Sequence, residues 1–497
     1  MKTLITTLLL LPLTTGLHAF CGFYVAKADA TLTNKASQVI IVRDGNRSAI
    51  TMSSDFQGDV KDFAMVVPVP VVLKRDDIKV LERVIFDRFR DYSAPRMAEY
   101  FDPEVCPRPY DDYAYGETQL ESVTVSQISR SVKYKSKKDY GVKVEAEYTI
   151  EEYEIVVLSA KESDGLSRWL NDNGYKIPQK ANEVLQPYIL SKMKFFVVKV
   201  NMDELKKRNP YVTNGVYPLR PIQISFDSPK FMLPIRLGMA NATEAQDMIV
   251  YALSRTGRIE TTNYRTVNMS TNMNVPVFVA NRFSDFYQKA YTKRLNEESR
   301  NAVFLEYAWD VSPQNPVKCD PCVGTPLYLA DLQTAGVKWA SVGDANGKVY
   351  FTRLHVTYDR EHYPQDLMFQ ETPNRENYQV RFVRHNPPRY QDFSCEAGQR
   401  YIRELRERRL TELENYQTLT GERAPEYTTY LNEFDNQLRP LPKGENNKPK
   451  KEDVFPMFGG GDDNGSGRTS LPVVMLSLLT LTAIFFALSR RRMQPAV

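Results

Sequence analysis

In the stretch "GVKVEAEYTI", Val142, Val144, Ala146, Tyr148 and Ile150 alternate with Lys143, Glu145, Glu147 and Thr149, which predicts a strand with one buried and one wet face. In "KASQVIIVRDGNRSAITMSS", the apolar runs 39–42 and 49–52 flank Asp44-Gly45 and predict a hairpin. The run "DFAMVVPVPVVL" reads as a strand buried on both faces, with Pro68 and Pro70 limiting its pairing to an edge or a bulge. Further strands are predicted at "KFFVVKVN", 222–226, 231–237, "AVFLEYAW" and "VYFTRLHVTYD", with a hairpin in "DMIVYALSRTGRIETTNY". Helical spacing places Leu81, Val84, Ile85 and Phe89 on one face, capped by Asp76 or Asp77 and stopped by Pro95. A short helix is expected between Asp164 and Gly174 with Trp169 and Leu170 inward, another over 181–189 despite Pro187, and one in "TPLYLADLQTAG" with Thr325 as cap, Pro326 first and Gly336 last. Strands interspersed with helices and no regular βαβ alternation predict an α+β fold with a mixed, largely antiparallel sheet.

The two ends change the picture from fold to location. Residues 1–19 put one positive charge ahead of a short apolar core and end on Ala19, the pattern of a secretory signal peptide. Cleavage there would leave Phe20-Cys21, and bulky Phe20 argues against lipidation of Cys21. Residues 471–488 carry no charge and are followed by Arg490, Arg491 and Arg492. Such a helix rises about 27 Å, enough to cross the hydrocarbon layer, and the arginines orient it with residues 489–497 in the cytoplasm. The order Gly-rich linker, apolar span and arginines also fits a processed sorting tag, although an LP-x-T-G motif is absent. Between the ends, the expected organisation is an extracytoplasmic α+β region over 20–396, a charged helical stem over 397–438 broken near Gly421 and Pro425, and a flexible linker over 439–470.

Charge excludes one class of partner. The chain has 65 Lys and Arg against 61 Asp and Glu, and with Lys2 and the three terminal arginines set aside the remainder is balanced. An interspersed, neutral surface carries no footprint for nucleic acid. The expected partners are the membrane, through the C-terminal helix, and a protein or other envelope component.

Several segments in order, "CGFYVAKADATLTNKASQVIIVRDG", "ITMSSDFQGDVKDFAMVVPVPVVL", "YSAPRMAEYFDP", "GYKIP", "CDPC" and "LHVTYDREHYPQDLMFQET", resemble the bacterial family known as domain of unknown function 2330, from about residue 21 to about residue 372. The resemblance implies an exported bacterial protein and brings no activity, cofactor or catalytic residue with it.

The residues that could carry chemistry are few. Outside the cytoplasm Cys21, Cys106, Cys319, Cys322 and Cys395 are all disulfide candidates, and five cannot all pair within one chain. Cys319-Asp320-Pro321-Cys322 has the spacing of a thiol-disulfide oxidoreductase, but Asp320 and the expected helix start beyond Thr325 disfavour a thiolate, so a structural clip is the favoured reading. No second C-x-x-C completes a zinc site. His355 reads as one polar position on a sheet face, and His362 with Asp359 as a charged loop, with metal binding at His355, His362 and Asp359 the lesser reading. "GDANGKV" lacks the spacing and the Ser or Thr of a phosphate loop, G-x-S-x-G is absent, and paired Glu151-Glu152 reads as surface charge. No cofactor is implied. A binding or interaction protein of the envelope is therefore the first expectation, and an envelope thiol oxidoreductase, or an enzyme with another site, the alternative.

Overall fold

The Asp44-Gly45 turn forms as the pattern predicts. Strands Thr33–Asp44 and Arg47–Gln57 pair antiparallel with Asp44 opposite Arg47, and Gly45 takes φ 56°, a conformation open to glycine without a Cβ penalty. The structure is a computed structural model that describes residues 23–27, 33–57, 62–106, 140–173, 175–176, 181–208, 217–240, 245–314, 325–341, 343–344 and 346–440. The expected signal peptide, most of the linker and the expected membrane span lie outside these residues. Among the described residues no helix is long and apolar enough to cross a membrane.

Around this hairpin grows a mixed sheet, in the order Arg265–Asn268, Ala302–Asp310, Tyr350–Tyr358, Gln246–Ser254, Thr33–Asp44, Arg47–Gln57, Ile222–Asp227 and Ile78–Val80. Two neighbouring pairs in it are parallel: Gln246–Ser254 with Thr33–Asp44, and Arg265–Asn268 with Ala302–Asp310. A second, antiparallel sheet runs Val142–Ile150, Tyr153–Ala160, Lys194–Asn201, Asp62–Val69, Phe23–Lys27 and Tyr175–Lys176. Strand alternation decides what each face meets. Val39, Ile41, Ile50 and Met52 of the first sheet pack on Val67, Ile155, Val157, Phe196 and Val198 of the second. The opposite parity, Ile40, Val42, Tyr251 and Phe351, meets Ile85, Phe86, Phe89 and Tyr92 of the helix Val84–Ser93. On the far side, Val66, Phe195 and Val197 are covered by the helices Ser163–Asp172 and Ala181–Leu190. The result is a helix–sheet–sheet–helix stack, an α+β architecture as the pattern predicts.

Several elements differ from the expectation, each for a tertiary reason. Asp77 caps only a single 3₁₀ turn by accepting from the Lys74 amide at 3.1 Å, because Ile78–Val80 is drawn into the sheet beside Ile222–Asp227. The helix therefore starts at Val84, ends before Pro95 as expected, and leaves Val84 60% exposed. The strand Asp62–Val69 is interior, not at an edge as its prolines suggested: Pro68 stands opposite Phe195 of Lys194–Asn201, while on the other side Phe23–Lys27 reaches only from Phe63 to Val66. The expected hairpin around Gly257 is absent. Gln246–Ser254 is claimed on both edges, Ile259–Thr261 pairs instead with Leu367–Glu371, and Gly257 sits against the Thr372 and Asn374 carbonyls, where a Cβ would be 2.7 and 2.4 Å away. The strand expected over 231–237 shortens to Met232–Leu233, and Glu162, not Asp164, stands at the cap of its helix.

The helix expected from Pro326 begins at Leu329, with the Tyr328 amide donating to Asp331 Oδ2 at 2.8 Å. Arg88 takes the Pro326 carbonyl at 2.7 Å and the Asp331 carboxylate at 2.8 Å, which holds the preceding residues extended. Gly336 ends it in the left-handed region as predicted.

The charged C-terminal helix Glu396–Thr420 packs into the same unit as the sheets. Leu413, Tyr416 and Leu419 join Phe286, Ala290, Phe304 and Phe382 in a buried cluster. At Gly421, φ 77° closes the helix where a break was expected.

Candidate functional site

The strand Tyr350–Tyr358 is buried at every position. His355 is therefore one polar position on a sheet face, as expected, but that face is buried and also carries Arg353 and Thr357. Leu354, Val356 and Tyr358 turn to the core between the sheets, and Phe351 turns to the helices; Arg353, His355 and Thr357 share the parity of Phe351. Asp247 stands opposite Thr357 on the neighbouring strand. On the other side, pairing slips between Leu305 and Tyr307, leaving Glu306 as the extra residue of a β-bulge. The bulge sends Tyr307 to the helix side while Leu305 and Ala308 stay in the intersheet core, and it aims Glu306 at Arg353 and His355.

Four ionisable groups meet there. Glu306 is fully buried and accepts from Arg353 Nε at 2.6 Å, while its carboxylate lies 2.7 Å from His355 Nδ1. The other ring nitrogen, Nε2, lies 2.8 Å from Asp247 Oδ1, which also accepts from Thr357 Oγ1 at 2.7 Å. The helix Phe283–Glu297 closes the cluster from above. Tyr287 donates to Glu306 at 2.5 Å, and the Tyr291 ring stacks on the imidazole with centroids 3.9 Å apart. Arg353 also lies over the Tyr251 ring at 5.6 Å and reaches Ser93 Oγ at 3.4 Å. Asp247, with 36% of its side chain exposed, is the most open member of the cluster, His355 is 11% exposed, and Glu306 is fully buried.

The electrostatics follow from this packing. Burial alone would drive the imidazole neutral, but Asp247 and Glu306 on either side push its pKa up to about 10. Burial alone would protonate Glu306, but Arg353 and His355 hold it down to about 2. With both ring nitrogens engaged, the imidazolium offers no lone pair to a metal or a substrate proton. Two cations thus face two carboxylates, and the arrangement is chemically a charge-balanced, hydrogen-bonded core.

A pH profile tests it. His355, raised from 6.5 to about 10, contributes stability that is complete below pH about 6.5 and lost as pH rises through about 10. Glu306, lowered from 4.5 to about 2, contributes stability that is complete above about 4.5 and lost as pH falls through about 2. Chemical denaturation across pH is expected to show the alkaline limb in the wild type and a much flatter one in His355→Asn; equal limbs would refute the assignment.

The other sequence candidates fall elsewhere. His362 Nδ1 lies 2.8 Å from Asp359 Oδ1 in its own loop, as the charged-loop reading expects, and His385 stacks on Tyr100. Among the described residues no group of three or more His, Cys, Asp or Glu could hold a metal ion, so His355, His362 and Asp359 are not gathered into one site. Glu151 and Glu152 are not surface charge: Glu152 is fully buried, and Arg220 binds both. Cys106 and Cys395 form a disulfide, with Cα atoms 5.9 Å apart, that ties the start of the Glu396–Thr420 helix to the segment after Arg96–Phe101. Cys21, Cys319, Cys322 and Arg490, Arg491 and Arg492 lie outside the described residues. Sequence reasoning passed over Asp247, Glu306, Arg353, Tyr287 and Tyr291. The available signal was a lone Glu inside the apolar run "AVFLEYAW" and an Arg and His inside "VYFTRLHVTYD", since a buried strand carries charges only where they are paired.

Comparison with known families adds one result. A family model described as an uncharacterized protein conserved in bacteria (DUF2330) matches residues 15–370. The chain belongs to this family. No curated protein and no solved structure matches it. The matched range of the DUF2330 chain contains Asp247, Glu306, Arg353 and His355, whereas the strand Arg381–Asn386 and the helix Glu396–Thr420 follow it.

Proposed function

We propose that this DUF2330 protein is an exported binding or interaction protein of the cell envelope, tethered by the apolar segment 471–488 and displaying residues 20–438 outside the cytoplasm. The observation that carries this reading is the Cys106–Cys395 disulfide. Such a bond persists in oxidising compartments and is kept reduced in the cytoplasm, and it agrees with the signal-like start and the arginine-flanked apolar end of the chain. The buried cluster of Glu306, His355 and Arg353 spends its hydrogen bonds on its own members and on Tyr287, so the enzymatic alternative gains no catalytic group from it.

Intact mass of the native, unreduced protein extracted from membranes tests the reading. The expected species has lost residues 1–19, retains the C-terminal segment and carries Cys106 and Cys395 as a disulfide. A full-length, fully reduced protein in the cytoplasmic fraction would overturn it. Turnover of an envelope substrate by the purified protein, abolished by a single substitution, would replace the binding role with an enzymatic one.

A further inference from the structure

The strand Arg96–Phe101 is the edge of a small sheet: among the described residues it pairs only with Arg381–Asn386, in parallel. Its far end is open. Phe101 is 48% exposed, Tyr100 36%, and Tyr390, just past Arg381–Asn386, 42%. The Arg389 guanidinium lies over the Phe101 ring at 4.9 Å, the Tyr390 amide donates to Glu104 Oε1 at 3.3 Å, and His385 stacks on Tyr100. A single exposed ring is ordinary, but three of the eight large apolar side chains that the described residues expose gather around this one strand end.

The chain leaves the folded body at the same place. The body ends at Leu438, and Leu438 packs with Phe393 and Val105, which follow Tyr390 and Phe101 by a few residues. Gln399 fixes this exit by donating to the Phe393 carbonyl at 2.8 Å and to the Gln437 carbonyl at 2.9 Å. The acids nearby are engaged: Glu99 by Arg384, Asp102 by Arg408 and Tyr401, Glu104 by the Tyr390 amide, and Asp392 by the Ser394 amide. Exposed Arg389 is then the cation beside the rings. Aromatic rings with an arginine are the residue types that settle at the boundary of headgroups and acyl chains, the ring in the apolar layer and the guanidinium at the phosphates.

We propose that Phe101, Tyr390 and Arg389, with Tyr100 beside them, form a membrane-docking patch, so that the body lies on the bilayer that holds residues 471–488. The inference rests on the tether proposed above. A patch of this size would bind lipid weakly from solution. A coil over residues 439–470 spans about 30 Å, so a tethered body meets the bilayer at high effective concentration and weak docking is populated. Anionic headgroups add their attraction for Arg389.

Full-length protein in nanodiscs of phosphatidylcholine and phosphatidylglycerol, with acyl chains brominated just below the headgroups, tests the patch. Tyr390→Trp carries the probe. Leu190→Trp is the control, at a position 73% exposed at the end of Ala181–Leu190, the helix on the opposite outer layer of the stack. Emission is read against the parent chain, whose Trp169, Trp309 and Trp339 are common to all. The tryptophan of Tyr390→Trp is expected to lose most of its emission in brominated discs while that of Leu190→Trp keeps it. Equal emission of Tyr390→Trp in brominated and plain discs, or equal quenching of both probes, overturns the patch and leaves the tether standing. A chain that does not enter the discs overturns the tether and the docking with it. In the Tyr390→Trp chain, Phe101→Ser is expected to restore emission and Arg389→Ser to restore part of it; quenching unchanged by both overturns the assignment to these side chains.

Discussion

Glu306→Ala is expected to destabilise the protein by about 3–5 kcal/mol, the range for removing one partner from a buried charge pair. Glu306 is fully buried, and three donors converge on it: Arg353 Nε at 2.6 Å, His355 Nδ1 at 2.7 Å and Tyr287 at 2.5 Å. Deleting the carboxylate leaves Arg353 as a buried cation, and His355 keeps only Asp247. The lost contacts are the smaller part of the effect; the larger part is the desolvation that the two cations no longer recover. Denaturant unfolding should report it as a lower midpoint at unchanged m-value. Pairing the change with Arg353→Met removes the stranded guanidinium, so the double variant should be more stable than the sum of its singles by roughly 0.5–3 kcal/mol. A loss below about 1 kcal/mol for Glu306→Ala would mean that the carboxylate is hydrated like a surface ion pair and that its reading as a buried partner of Arg353 and His355 is wrong.

Cys395→Ser is expected to cost about 2–5 kcal/mol, because the bond it removes spans 289 residues and a cross-link over so long a loop strongly restricts the unfolded chain. The substitution is well controlled. Cys395 also caps the Glu396–Thr420 helix by accepting from the Gly398 amide at 3.3 Å, and serine preserves that role. Gly398 itself has no room to change, since a Cβ there would lie 2.5 Å from the Phe393 backbone. Thermal unfolding should show a lower apparent midpoint for Cys395→Ser, and the wild type in reductant should match the variant. If neither reductant nor substitution moves the midpoint, the two sulfurs are not joined in the native protein. The Arg408–Asp102 pair and the Tyr401–Asp102 hydrogen bond remain in the variant. The helix should therefore stay docked at low temperature, with the loss appearing in global stability.

The expectations that held and those that failed divide by the range of the interaction. Alternation and turn chemistry were enough for the Thr33–Asp44 and Arg47–Gln57 hairpin, for Lys194–Asn201, and for the ends of two helices at Gly336 and Gly421, because each depends on neighbours within a few residues. Long-range pairing overruled local preference elsewhere. Ile78–Val80 left a helical pattern for a strand, and Gln246–Ser254 refused its nearest hairpin partner because Thr33–Asp44 and Tyr350–Tyr358 already held both its edges.

The site was least legible of all. A one-residue bulge between Leu305 and Tyr307 brings Glu306 to His355, and nothing in the spacing of the two residues announces it. The amino-acid sequence by itself determined the α+β class, the hairpin around Gly45, the ends of two helices and the family, but not the helix Phe283–Glu297 that covers the candidate site. Only the tertiary structure decided that His355 lies buried between two carboxylates, that Glu152 and Glu412 are buried, and that Cys106 pairs with Cys395. The physical reason is that a side chain's charge state and reach depend on what other strands and helices place within a few ångström of it, and those neighbours come from parts of the chain that local pattern cannot relate.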